Sequence, residues 1–260
     1  MGIPKALARL IELLQSEGLM ATQRKVMTSL RARIMRWSDR RWECENHIKT
    51  IDEMSLDGLA IEQNKKKHGF DYVPSFCRLI HNLIWNVERQ LESTPYQLSD
   101  CVFIDYGSGK GQALMAAAEY PFKELIGVEF STELHQIAIK NLDTYRKDHP
   151  QASPIRSVNT DATEFDIPDQ PCLLYFYNPF DEYVMSTIIR KIRDRTQNTP
   201  YPIYIIYAQL REEDPYHVTK NISLISGAST KISVAYRSLL DRFLLASHLL
   251  SINCFTSNKR

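Results

Sequence analysis

The feature that most constrains this 260-residue chain is the run Val102-Phe103-Ile104-Asp105-Tyr106-Gly107-Ser108-Gly109-Lys110-Gly111. A short apolar strand enters three alternate glycines, and a helical stretch, Ala113 to Glu119, leaves them. Glycine lets the backbone turn sharply and lets a ligand approach the main chain with no Cβ in the way. A strand, a glycine turn and a helix in that order predict an open α/β sheet. The loop then lies at the carboxyl edge of the strands, where such sheets bind ligands.

The remaining periodicity agrees. Leu125 to Val128, Ile155 to Val158, Cys172 to Tyr177 and Pro202 to Ala208 read as further strands, each nearly continuously apolar. Between and before them, Leu134 to Tyr145, Val184 to Arg193 and the stripe Phe76, Leu79, Ile80, Leu83, Ile84, Val87, Leu91 read as helices. Pro74 suits the start of the last of these, where its missing N–H is harmless. Apolar strands alternating with helices predict a parallel sheet covered on both faces. After Tyr216, Asn221 to Ser226, Gly227-Ala228-Ser229 and Lys231 to Tyr236 predict a hairpin closing the sheet's edge. The expected fold is therefore α/β, a Rossmann-like doubly wound and mostly parallel sheet with an antiparallel edge strand and an N-terminal helical extension. The expected division is a basic helical extension over 1–60, the α/β domain over 61–245 and a tail over 246–260.

A 43% hydrophobic composition fills a real core and excludes a wholly disordered chain. Lys+Arg at 32 against Asp+Glu at 31 leaves a formal charge of +1, so no global polyelectrolyte character points to nucleic acid. Charge is uneven locally. Leu7, Leu10, Ile11 and Leu14 recur at helical spacing, Gly18 interrupts them, and a second helical stretch runs from Thr22 to Glu45. It carries Arg24, Lys25, Arg31, Arg33, Arg36, Arg40 and Arg41, with Asp39 as the acid among them. Such a run is a solvated helix face or a basic arm for an acidic partner, a nucleic acid or a membrane surface. Five scattered cysteines without C-x-x-C spacing predict neither a disulfide framework nor a zinc site, and no metal centre is expected. No run approaches the roughly 18 apolar residues of a membrane span. No small-residue cleavage pattern follows the N-terminus, so a cytoplasmic protein is the expectation.

Several nucleotide-like ligands compete for the glycine loop. A dinucleotide fold asks for glycine or alanine at position 112, which is Gln112; a P-loop asks for a Lys-Ser/Thr pair that Lys110 does not provide. What remains is acid-x-G-x-G-x-G, with Asp105 two residues ahead of Gly107. An acid there suits a cationic ligand better than a pyrophosphate. S-adenosylmethionine, with its sulfonium and ammonium, is such a ligand. Glu129 ends the second strand, 22 residues after Gly107, in position to accept both hydroxyls of a ribose. Asp161 and Ala162 follow the third strand, in position for an adenine amine.

With these residues the chain resembles the class I S-adenosylmethionine-dependent methyltransferases over roughly residues 70 to 210. The motifs are Phe103 to Gly111, Gly127-Val128-Glu129 and Asp161-Ala162. The resemblance implies a seven-stranded sheet with an antiparallel final strand. It also implies S-adenosyl-L-methionine bound by Asp105, Gly107, Ser108, Gly109, Gly111, Glu129, Asp161 and Ala162.

Asn178-Pro179-Phe180 directly follows the fourth strand. It resembles the Asn/Asp-Pro-Pro-aromatic signature of methyltransferases acting on planar or amino nitrogens, with one proline missing. That likeness makes Asn178, Pro179 and Phe180 the candidate catalytic residues; as an alternative, Asn-Pro is an ordinary turn. Tyr72-Val73-Pro74-Ser75 is similar to a cofactor-capping segment of some protein lysine methyltransferases. The expected activity is N-methylation of an amino group, protein lysine first, with a nucleic acid or small amine behind it. A binding module without turnover, holding its partner through the basic helices, is the competing expectation. A nicotinamide oxidoreductase is disfavoured by Gln112 and Asp105.

Overall fold

A computed structural model describes residues 5–60, 66–209 and 232–238. Helix α1 (Lys5–Asn46) is broken at Gly18, whose φ of 80° lies outside the helical region, as the sequence break predicts. A 3-10 turn, Leu56–Gly58, follows, and another, Leu98–Asp100, precedes the first strand. The α/β unit then runs α2 (Cys77–Leu91), β1 (Val102–Tyr106), α3 (Gln112–Ala117), β2 (Glu124–Glu129), α4 (Thr132–Asp148) and β3 (Ile155–Asn159). It continues through β4 (Cys172–Tyr177), α5 (Glu182–Asn198), β5 (Ile203–Gln209) and β6 (Ile232–Ser238). Helix α2 begins later than Pro74: Phe76 is its N-cap and Pro74 belongs to an extended lead-in.

The sheet order is β3-β2-β1-β4-β5-β6, and every pairing is parallel. Alternate residues of each strand serve opposite cores, as period-two side-chain geometry requires. Phe103, Leu125, Leu173, Tyr175 and Ile206 face the layer of α2, α3 and α4. Val102, Ile104, Ile126, Leu174 and Ile205 face α5 through Met185, Ile188 and Ile192. Helix α2 turns its predicted stripe inward, with Leu79, Ile80, Leu83, Ile84 and Val87 all buried. Each such side chain contributes on the order of the 2–5 kcal/mol that truncation to alanine removes.

One expectation is corrected. Residues 231–236 were expected in an antiparallel edge hairpin; residues 232–238 instead form β6, parallel to β5 from Ile203↔Ile232 to Gln209↔Ser238. The link over 210–231 exceeds the dozen or so residues that a parallel crossover needs, so no tight turn imposes antiparallel pairing. The other expected arm, Asn221 to Ser226, and the tail over 246–260 lie outside the described residues. Antiparallel contact among the described residues is confined to two isolated bridges, Met54↔Tyr72 and Gly69↔Phe180. Both belong to the chain that crosses the carboxyl edge of the sheet.

Candidate functional site

The order reverses between β1 and β4, and a cavity of about 320 Å³ opens at the carboxyl ends of those strands. Its floor is the glycine loop. Gly107, Gly109 and Gly111 have φ of 77°, 52° and 84°, the left-handed region that glycine alone enters without strain. A Cβ on Gly107 would lie 2.7 Å from Pro179, and one on Gly109 would lie 2.2 Å from the Tyr72 ring. The loop is therefore compressed between the strand that precedes Pro179 and the segment that carries Tyr72.

Four of the loop's amides are already in use. Gly107 and Ser108 donate to the Val128 carbonyl at 2.9 and 3.1 Å, and Gly111 donates to the Ser108 carbonyl at 2.8 Å. Gly109 donates to Glu129 Oε2 at 2.8 Å, while Ser131 N–H donates to Glu129 Oε1 at 2.8 Å. A pyrophosphate-binding turn must offer such N–H groups to its anion. Here they stabilise the protein's own carbonyls and a carboxylate. Lys110 is not directed at the cavity either: its Nζ donates to the Asp52 carbonyl at 2.6 Å.

Two carboxyl groups meet above this floor. Asp105 and Glu129 are each 3% exposed. Burial, with Glu129 nearby, pushes Asp105 up to about 8. Burial likewise pushes Glu129 up to about 7, against the opposing effect of its bonds from Ser131 and Gly109. Asp105 accepts no hydrogen bond from the described residues, and Ser108 Oγ and Gln112 Oε1 are buried in the same cavity without a partner. A buried carboxyl beside unpaired polar atoms is costly unless a ligand supplies the missing donors.

The cavity is covered by residues 70–75. Tyr72 lies over Gly109, its hydroxyl donating to the Thr50 carbonyl at 2.7 Å. Thr50 is held in turn by Glu43, which accepts from the Thr50 and Ile51 amides. Asp71 accepts from the Leu56 amide at 2.9 Å. Further along, Asp181 N–H donates to the His68 carbonyl at 3.1 Å, and His68 Nδ1 lies 2.6 Å from Asp181 Oδ2.

Asn178, Pro179 and Phe180 all line this cavity, beside Tyr175 and Tyr177. Asn178 has φ of 42°, a left-handed conformation that asparagine tolerates. Its Oδ1 accepts from the hydroxyl of Tyr207, a fully buried residue of β5, at 2.7 Å. The amide is thus held in one orientation at the end of β4.

The sequence-predicted residues divide accordingly. Asp105, Gly107, Ser108, Glu129 and the three residues Asn178 to Phe180 share the cavity; Gly109 reaches it through Glu129, and Gly111 caps α3 beneath it. Asp161 and Ala162 line a neighbouring cavity of about 280 Å³ with His68, Thr163 and Tyr183, and Phe130 and Phe180 border both cavities. Asp161 Oδ1 accepts from the Thr163 amide at 2.8 Å and hydroxyl at 2.7 Å, so that oxygen serves a local turn. Tyr207 and Gln112 were not singled out as site residues. Tyr207 sits in an unbroken apolar strand and carries no motif; Gln112 was visible only as a departure from a dinucleotide pattern.

No protein-family model and no curated protein matches the chain. Solved structures do. A putative S-adenosyl-L-methionine-dependent methyltransferase from Methanococcus maripaludis is 22% identical, over 57% of this chain and 64% of that one, with a TM-score of 0.36. An RNA methyltransferase from Salinibacter ruber in complex with S-adenosyl-L-homocysteine is 23% identical, over 47% of this chain and 71% of that one, with a TM-score of 0.34. A glycopeptide N-methyltransferase complexed with S-adenosyl-L-methionine is 13% identical, over 42% and 47%, with a TM-score of 0.30. The chain spans between 39% and 64% of the length of several structures it matches. The likeness is one of fold.

Proposed function

We propose that the chain is an S-adenosylmethionine-dependent methyltransferase that N-methylates an amino group, with protein lysine as the favoured acceptor. The observation that carries this reading is the Asp105 carboxyl, buried at the cavity floor without a protein donor, over a glycine loop whose named amides are already bonded. That combination disfavours a diphosphate and favours a cation. The residues present fit the cofactor: Asp105 would hold the ammonium and Glu129 the ribose hydroxyls, using the lone pairs left free by Gly109 and Ser131. When bound, the cofactor supplies an electrophilic methyl group on sulfur. Asn178, held by Tyr207, offers a fixed carbonyl to accept an amine hydrogen and aim its lone pair, so orientation supplies most of the rate. Tyr175, Tyr177 and Phe180 surround that point with apolar surface, which favours the neutral amine over the ammonium.

Thermal shift and calorimetry with S-adenosylmethionine, S-adenosylhomocysteine and NAD test the cofactor. A ligand at 100 times its dissociation constant stabilises by about 2.7 kcal/mol. Stabilisation by NAD alone overturns the reading. Methyl-labelled cofactor incubated with a lysate then tests the acceptor. Label in protein, released on hydrolysis as methyl-lysine, supports lysine; label in RNA or a small amine replaces it; cofactor binding without transfer leaves the binding-module alternative.

A further inference from the structure

The second helical segment of α1 turns its apolar side outward. Leu19, Val26, Met27, Leu30, Ile34 and Trp37 fall within an arc of about 100° on a helix of 3.6 residues per turn. They are exposed: Leu19 by 69%, Ile34 by 52% and Trp37 by 65%. The opposite side is anchored. Met35 and Asp39 are buried against the α/β unit, and Trp42 packs on Tyr145 with ring centroids 6.3 Å apart. The helix therefore cannot roll to hide Leu30 and Ile34 without giving up those contacts.

One flank of the apolar arc is basic. Arg33, Arg36 and Arg40 are exposed beside it, and between Leu19 and Arg40 the one carboxylate in the sequence is the buried Asp39. A second copy of this helix would set arginine rim against arginine rim with no exposed acid between. A nucleic acid would need its cations at the centre of the contact, where Leu30, Ile34 and Trp37 stand instead. An apolar face carrying tryptophan and edged by arginines matches an interfacial helix. We infer that α1 docks on an anionic phospholipid surface, Leu30, Ile34 and Trp37 entering the headgroup boundary and the arginines meeting lipid phosphates. No helix among the described residues is long and apolar enough to cross a membrane, so this is attachment to one surface.

Flotation of the full chain with vesicles of phosphatidylcholine plus phosphatidylglycerol, against phosphatidylcholine alone, tests the inference. Binding is expected with the anionic vesicles and should weaken with salt. Leu30→Glu with Ile34→Glu should abolish it without changing cofactor binding or the thermal midpoint. Arg33→Gln with Arg36→Gln should weaken it about 25-fold, about fivefold for each arginine near the surface. Should the glutamate pair unfold the helix, the arginine pair decides. No binding to anionic vesicles, equal binding to neutral ones, or binding that survives both pairs of substitutions overturns the inference. So does a dimer dispersed by the glutamate pair, or tighter binding to RNA or DNA than to vesicles.

Discussion

Replacing Asp105 by asparagine isolates the cost of keeping a carboxyl at the cavity floor. In the folded chain burial raises this group from 3.8 to about 8. The folded state therefore keeps a proton that the unfolded state releases. Stability from this group is greatest below the unfolded value, near pH 4, and is lost as pH rises through about 8. At 1.36 kcal/mol per decade the rise from 3.8 to about 8 is a penalty of up to about 6 kcal/mol. At about 2–4 °C per kcal/mol for a chain of this size, that is up to about 12–24 °C in melting temperature. Asp105→Asn should melt close to the wild type at pH 4 and up to about 12–24 °C higher at pH 9, measured without ligand. The same variant should lose the stabilisation by S-adenosylmethionine, because the amide has no charge for an ammonium. In the wild type that stabilisation should pass through a maximum near pH 8, because Asp105 must lose its proton while the cofactor's α-amine keeps one. Identical pH profiles for variant and wild type, or undiminished cofactor binding by the variant, would refute the reasoning.

Three further outcomes follow from the same structure. Tyr207→Phe removes the donor to Asn178, which should leave cofactor affinity unchanged and slow methyl transfer about tenfold, the effect of a lost hydrogen bond of ~1.4 kcal/mol; single-turnover kinetics read this directly. Gly109→Ala places a Cβ 2.2 Å from the Tyr72 ring at a φ of 52°, so it should lower the melting temperature and weaken cofactor binding together. Asp39, which burial chiefly raises to about 7, contributes stability that fades as pH rises from about 4 through 7. Asp39→Asn should therefore flatten the melting profile over that range, seen by calorimetry, without touching the cavity.

The five strands from Val102 to Ala208 were legible because each is an apolar run bounded by turn residues, and burial on both faces leaves little else such a run can do. The glycine loop was legible for a local reason too: three glycines within five residues force the turn. Long-range pairings were not. Whether residues 232–238 run parallel or antiparallel to β5 depends on the path of the preceding link, to which the alternation of side chains is indifferent. Asp161 was placed toward a ligand from its position at a strand end, but Thr163, two residues on, offers both an amide and a hydroxyl to one of its oxygens. The Tyr207–Asn178 bond joins residues 29 apart in sequence and has no local signature. The covering role of Tyr72 was read from likeness alone; its cause is the contact with Gly109 and the bond to Thr50.

The relay from Glu43 to Thr50, from Thr50 to Tyr72, and from Tyr72 onto Gly109 has a consequence for how this molecule can be cut. Trimming the chain to its α/β core, or starting it just beyond the basic helix, removes Glu43 and slackens the cover over a cavity more than fifty residues downstream. The stub would keep its sheet and still release its ligand faster. The C-terminal end of the long helix, through Glu43, and the cover over the cavity are thus mechanically one part.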